Sequence, residues 1–161
     1  MEKKNNGLLF ERARNYAFLL LKFRLRTEEE IRSRMKQKKF PADVIKATID
    51  FLKDKKFIDD GLFARAWLDS RLKRSMGLRR VKNELKLKGV KPSLIEETIA
   101  SAKHGYNEDE AVADLISRKS RGLKGLDARK VRQRIYAFLM RRGFSPDVIA
   151  DNLNKMPEYE S

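Results

Sequence analysis

Cysteine is absent from this chain, and histidine occurs once, at His104. The first absence excludes a disulfide framework, a thiolate metal site and a cysteine nucleophile, and fits a reducing compartment. The second leaves no common zinc site, because His104 has neither a second histidine nor a cysteine to join it. Glycine (8) and proline (4) are scarce, and no segment alternates apolar with polar residues as a half-buried strand does. No apolar run approaches the roughly 18 residues of a membrane span; the longest is "YAFLLL" at 16–21. Glu11, Arg12 and Arg14 interrupt any signal-peptide core. The expectation is a soluble, cytoplasmic protein with no membrane partner. No glycine-rich phosphate loop, nucleophile motif or histidine–carboxylate constellation occurs. The chain therefore reads as a non-enzyme without cofactor or metal.

Acid is also short. Of 161 residues, 38 are Lys or Arg and 23 Asp or Glu, a net charge of +15. Such a field favours polyanions, nucleic acid first. With 41% hydrophobic and 38% charged residues, the core is lean for this length, which fits an elongated molecule better than a sphere.

What is present is a repeat. Ile31, Met35, Phe40, Val44, Ile45 and Ile49 recur fifty positions later as Val81, Leu85, Val90, Leu94, Ile95 and Ile99. A shift of 104 gives Ile135, Leu139, Phe144, Val148, Ile149 and Leu153. The punctuation recurs too, as "KKFPAD", "KGVKPS" and "RGFSPD". Gly89 and Gly143 stand where a helix C-terminus wants a left-handed residue; the first copy has Lys39 there. Pro92 and Pro146 fall just inside the next helix start, with Pro41 one residue earlier in its copy. Each copy is a helix, a tight turn and a helix, preceded by a leading helix near 12–25, 60–73 or 108–118. The predicted fold is all-α: three tandem three-helix repeats (8–56, 57–103 and 107–156) in an elongated, curved stack. Units of about 50 residues are marginal alone and must lean on each other. The loosest stretches are expected at "KHGYN" and "SRGLKGL", which lack apolar periodicity.

Charge follows the repeat. Residues 22–39 carry net +5, 65–91 net +8 and 118–142 net +9, whereas 92–116 carry net −5. The middle helices are basic. In the second copy Arg79, Lys82 and Lys86 share the i, i+3, i+7 spacing of Leu78, Val81 and Leu85 but point elsewhere. In the third, Lys130, Arg134 and Arg141 fall close together on a helical projection. Acids placed to form i, i+4 pairs are mostly missing, so these faces are read as facing a polyanion rather than as ordinary solvated surface. The candidate binding residues are Arg71, Lys73, Arg74, Arg79, Arg80, Lys82, Lys86, Lys88, Arg129, Lys130, Arg134, Arg141 and Arg142. Asp59 and Asp60 stand at a helix start and read as caps rather than as a metal or acid–base pair. Phe63 and Trp67, at i, i+4, read as core, although a tryptophan also suits an interface. Phe138 reads as core; Tyr136 is open to either core or base stacking.

The stretch "FIDDGLFARAWLDSRLKRSMGLRRVKNELKLKGV", 57–90, resembles the signature of the RecX family, bacterial regulators of the recombinase RecA. The residues that carry it are Phe57, Asp59, Asp60, Phe63, Ala64, Trp67, Arg71, Gly77, Glu84, Leu85, Lys88 and Gly89. "FLMRRGFSPDVI", with Gly143 and Phe144, resembles the family's C-terminal motif. Leu87 departs from it, standing where a charged or polar residue is common. The resemblance implies tandem three-helix repeats, no cofactor, and a regulatory protein that lies in the groove of the RecA–DNA filament. It implies modulation, most often inhibition, of recombinase, ATPase and coprotease activities, in DNA repair, recombination and the SOS response. The implied partners are the RecA filament and single- and double-stranded DNA without sequence preference, met by a monomer. On this reading the basic faces meet RecA or DNA. Phe57, Asp59, Asp60, Phe63, Ala64, Trp67, Gly77, Leu85, Gly89, Gly143 and Phe144 are mainly structural. The alternative is a general basic helical nucleic-acid-binding module that acts without RecA. A nuclease lacks the carboxylate or histidine cluster it would need.

Overall fold

The computed structural model describes residues 2–156, and every regular element among them is an α-helix. In order they are α1 (Glu2–Phe23), α2 (Glu28–Gln37), α3 (Ala42–Asp54), α4 (Asp60–Leu72), α5 (Leu78–Leu87), α6 (Pro92–Ala102), α7 (Glu108–Arg121), α8 (Ala128–Arg142) and α9 (Pro146–Asn154).

Local chemistry sets most of the boundaries. Thr27 and Glu30 form a reciprocal capping box at the start of α2, with the Thr27 hydroxyl accepting from the Glu30 amide at 3.1 Å. Asn107 caps α7 and Asp127 caps α8. Ser145 caps α9, where Pro146 occupies the first turn. Gly143 ends α8 at φ +87°, in the left-handed region that glycine enters without a Cβ penalty. α1 starts well before the expected residue 12. Gly7 and Leu8 there are exposed, and the sequence before residue 12 shows no apolar periodicity to mark it.

Two compact units divide the chain, and the division runs through α4, α5 and α6. One comprises residues up to Ala66 together with Leu85–Ile95; the other comprises Trp67–Glu84 together with residues from Glu96 onward. In the first, α1 packs on α2 and α3 around Ala13, Ala17, Ile31, Met35, Ile45, Ile49 and Leu52. In the second, α7 packs on α8 and α9 around Val112, Ile116, Ile135, Leu139, Phe144 and Ile149. All eighteen repeat positions are buried except Phe40, Leu94 and Val148, which are half-buried. Each fully buried aliphatic or aromatic side chain contributes roughly 1.5–3 kcal/mol, so this set carries the fold.

The linkers are tighter than their composition suggested. Leu123, inside "SRGLKGL", is buried in the α7–α9 core. Tyr106, inside "KHGYN", is half-buried with its hydroxyl 3.4 Å from the Met76 carbonyl. Burial, reinforced by Glu108, pushes its phenol up to about 12. A single anchored side chain holds each linker, a signal too short for periodicity to register.

Candidate polyanion interface

The basic middle helices first have to be joined to their neighbours, and the same joint is built twice. In the first unit the buried Thr27 hydroxyl donates to the Lys88 carbonyl at 2.6 Å, where α5 ends. In the second, the Gly77 amide donates to the Arg142 carbonyl at 2.9 Å, where α8 ends. Thr27 and Gly77 are fifty residues apart, the repeat spacing, and Lys88 and Arg142 precede the paired glycines 89 and 143. The side chains of Lys88 and Arg142 also reach across their joints. Lys88 Nζ donates to Glu30 at 3.0 Å, and Arg142 Nη1 donates to the carbonyls of Arg74 (2.6 Å) and Ser75 (3.1 Å).

An acid from the next leading helix completes each joint. Asp60 Oδ1 accepts from the Glu28 amide at 2.9 Å, the first residue of α2. Glu108 Oε1 accepts from the Leu78 amide at 2.8 Å, the first residue of α5. The middle helices α2 and α5 thus each have an orphan N-terminal amide satisfied by the following repeat. The two adjacent aspartates divide the work. Asp59 caps its own helix, accepting from Gly61 and Leu62, as expected. Asp60 caps α2 instead, and its carboxyl is held above the usual range by burial.

The placement of glycine at 77, 89 and 143 has the same origin. A Cβ on Gly77 would lie 2.3 Å from the Gly143 backbone, one on Gly143 2.3 Å from the Arg80 Cβ, and one on Gly89 2.4 Å from the Glu29 Cβ. These contacts admit no side chain.

Electrostatics inside the joints concentrate on two carboxylates. Burial of Glu30 opposes its ionisation, but donation from Arg24, Lys88 and the Thr27 amide prevails and holds it down at about 2. Glu84 is likewise opposed by burial, yet held below the usual range by Arg71, Arg80 and Trp67. Trp67 Nε1 donates to Glu84 at 2.9 Å, Arg80 Nε at 2.8 Å, and the Arg71 guanidinium lies over the Trp67 ring at 4.0 Å. Trp67 is only half-buried, so its expected place in the core is replaced by a place in this network, while Phe63 is buried. Glu84 is the one acid among the four cations of α5, and that isolation, with its place in the 57–90 signature, was its sequence signal.

Of the thirteen candidate cations, four therefore have their charge engaged within the fold: Arg71, Arg80, Lys88 and Arg142. Partners beyond i, i+4 spacing, invisible to a helical-face count, supply most of these contacts. Lys82 pairs with Glu96 at 2.5 Å, both well exposed. Lys73, Arg74, Arg79, Lys86, Arg129, Lys130, Arg134 and Arg141 are exposed, and among the described residues none forms an ion pair. Arg79, Lys82 and Lys86 form a stripe along α5, turned from the buried Leu78, Val81 and Leu85. Tyr136 is exposed; Phe138 is half-buried beneath Arg142 and Lys119. Phe57 is half exposed, yet its ring packs edge-on against Phe18. Leu87 is 88% exposed at the end of α5. The described residues contain no His, Cys, Asp and Glu group able to hold a metal ion, and no helix long and apolar enough to cross a membrane.

Comparison with known proteins places these features. The chain matches family models described as RecX first, second and third three-helix domains over residues 13–52, 59–99 and 107–151. It is 30% identical over 151 residues to the regulatory protein RecX of Clostridium botulinum strain Eklund 17B, covering 92% of this chain and 70% of that protein. It is 32% identical over 136 residues to that of Streptomyces coelicolor, covering 84% and 72%. The crystal structure of RecX from Lactobacillus salivarius superimposes with a TM-score of 0.79 at 21% identity, over 92% of this chain and 97% of that one. A second, titled as the crystal structure of regulatory protein RecX, gives 0.78 at 19% identity. At these identities the two structures establish the fold.

Proposed function

The chain belongs to the RecX family of regulatory proteins, and from that premise we propose that it binds filaments of RecA on DNA and restrains their recombinase, ATPase and coprotease activities. The observation that carries this reading is the exposed and largely unpaired basic surface of the middle helices. Arg79 and Lys86 on α5, with Lys73 and Arg74 beside them in sequence, present positive charge that forms no ion pair among the described residues, and Lys82 between them is exposed and paired with Glu96. The cations of α8, Arg129, Lys130, Arg134 and Arg141, do the same. Engaged residues such as Arg71 and Arg142 hold the joints and position these surfaces. The protein acts by binding, as a monomer in the cytoplasm, and its ligand is the filament and its phosphates. Few residues on the stripes read base edges, so binding is indifferent to sequence.

The test is the steady-state ATPase of RecA on single-stranded DNA with the protein added. Arg79→Glu combined with Lys82→Glu and Lys86→Glu should melt within a few degrees of the parent, since exposed substitutions cost about 0.5 kcal/mol or less each. It should require at least about tenfold more protein for the same inhibition, because three attractions become repulsions. Equal inhibition by parent and variant would remove α5 from the interface. No effect of the intact protein in excess would leave a nucleic-acid-binding module that acts without RecA.

A further inference from the structure

The face by which the second and third repeats meet the repeat before them is built differently in the first. In the second repeat that face is closed at Gly89 by Glu29, and in the third at Gly143 by Arg80. Three substitutions distinguish the first repeat there. The turn glycine becomes Lys39, held at φ +60°. The cation that grips the preceding repeat, Lys88 or Arg142, becomes Lys38, whose Nζ lies 5.7 Å from the centroid of the Tyr16 ring. The leading-helix acid that caps the preceding middle helix, Asp60 or Glu108, stands four residues before the buried Ala64 or Val112; the matching residue before Ala13 is Leu9.

These changes remove everything the joint needs. A lysine Cβ at 39 would collide where glycine lets a neighbour approach, and Leu9 offers no acceptor to a helix N-terminus. The face is thus closed to another repeat or to a second copy docking by the same contacts. What stands in its place is a groove lined by Leu9, Arg12, Asn15, Tyr16, Lys38, Lys39 and Phe40. Among the described residues its lining contains three cations and no acid. Tyr16 and Phe40 are half-buried with their rings 6.0 Å apart, so packing on one side fixes the aromatic pair beside the opening. Lys39 retains a strained backbone conformation where glycine would relieve it, as residues held for binding do.

We propose that this groove binds single-stranded nucleic acid, one base stacking on the Tyr16–Phe40 pair while Arg12, Lys38 and Lys39 hold adjacent phosphates. Exposed aromatic faces interleaved with cations serve unpaired bases, which a duplex keeps stacked within itself. The Asn15 amide, exposed at the rim, meets the base edge. The site shares the polyanion chemistry of the function proposed above but stands on different residues, so either reading can fail without the other.

The experiment measures binding of a labelled twenty-nucleotide oligothymidylate and of a duplex of the same length by fluorescence anisotropy across a salt series. Three variants are compared: Lys38→Gln with Lys39→Gly, Tyr16→Leu, and the α5 triple reversal. The Lys38/Lys39 double variant should melt at or above the parent temperature, because glycine relieves position 39. Its log–log salt slope on the single strand should be shallower by about 1.4, at roughly 0.7 per phosphate released. Tyr16→Leu should weaken single-strand binding about tenfold and duplex binding far less, the loss of one stacking contact. If Tyr16→Leu unfolds, the double variant still decides. Unchanged single-strand binding in a folded double variant overturns the site, and so does an equal loss on single strand and duplex. Loss in the α5 reversal alone overturns this groove and leaves the α5 reading intact.

Discussion

At position 39 the chain carries a lysine where its later repeats carry glycine, and the difference measures what each glycine is for. A left-handed conformation costs a non-glycine residue about 1–2 kcal/mol, and Lys39 bears that cost. Gly143 has the further constraint of the Arg80 backbone and Cβ lying within 3 Å of any Cβ. Gly143→Ala should therefore lower stability by more than the conformational term, about 3 kcal/mol in total, whereas Lys39→Gly should raise it by about 1 kcal/mol. Chemical denaturation of the two variants reads this directly; equal and opposite effects would mean that the close approach costs nothing.

Glu30 sets a second prediction at this scale. Its folded pKa, about 2, lies below the ordinary value of 4.5, so the ionised form is favoured by the fold. The associated stability is present above pH 4.5 and is lost as pH falls toward 2, amounting to about 3 kcal/mol. Glu30→Gln removes the charge from this joint. Its unfolding free energy should lie below the parent's at pH 7 and converge on it near pH 2. Parallel curves across that window would show that Lys88 and Arg24 do not select the ionised carboxylate.

At the scale of elements, the unusual feature is a helix capped from outside. α5 begins at Leu78 after Gly77, which has no side chain to cap with, and its first turn contains no acid. Glu108 supplies the acceptor from the start of α7. Glu108→Ala should cost about 1–2 kcal/mol, the range of a lost cap with its charge–dipole contribution, and Glu108→Gln less. Gly77→Ser introduces a favoured capping residue and should nevertheless destabilise more, since its Cβ would lie 2.3 Å from the Gly143 backbone. Thermal melting in which Gly77→Ser proves the more stable would mean that the joint yields. The helices themselves were readable: the leading helices expected near 60–73 and 108–118 are α4 and α7, and Pro41, Pro92 and Pro146 marked the starts of α3, α6 and α9. α1 was the exception in extent, because the sequence before residue 12 has no apolar periodicity and Gly7 and Leu8 are exposed.

For the whole molecule, the charge available to a ligand is smaller than +15 suggests. Arg71, Arg80, Lys88 and Arg142 are engaged internally, which leaves the exposed cations of α5 and α8 as the charge that the proposed phosphate contacts would use. Neutralising about four to six phosphates gives a log–log salt slope of roughly −3 to −5 for DNA binding, with little dependence on sequence. A slope near zero, or a strong preference for one duplex, would show that contacts other than phosphate dominate.

Helical class, the number of repeats and their apolar faces follow from spacing along the chain, because a helix brings residues three and four apart onto one side whatever surrounds it. The same holds for family membership, since the glycines, acids and aromatics at 57–90 are fixed in order and distance. Which cation is free and which is engaged does not follow. Lys88 reaches Glu30 across 58 residues, and Arg142 reaches Arg74 across 68. A local pattern contains no record of such distances, so only packing decides them. The open groove of the first repeat belongs to the same class of fact. Lys38, Lys39 and Tyr16 look like any charged turn beside a helix until the later repeats show what normally covers them.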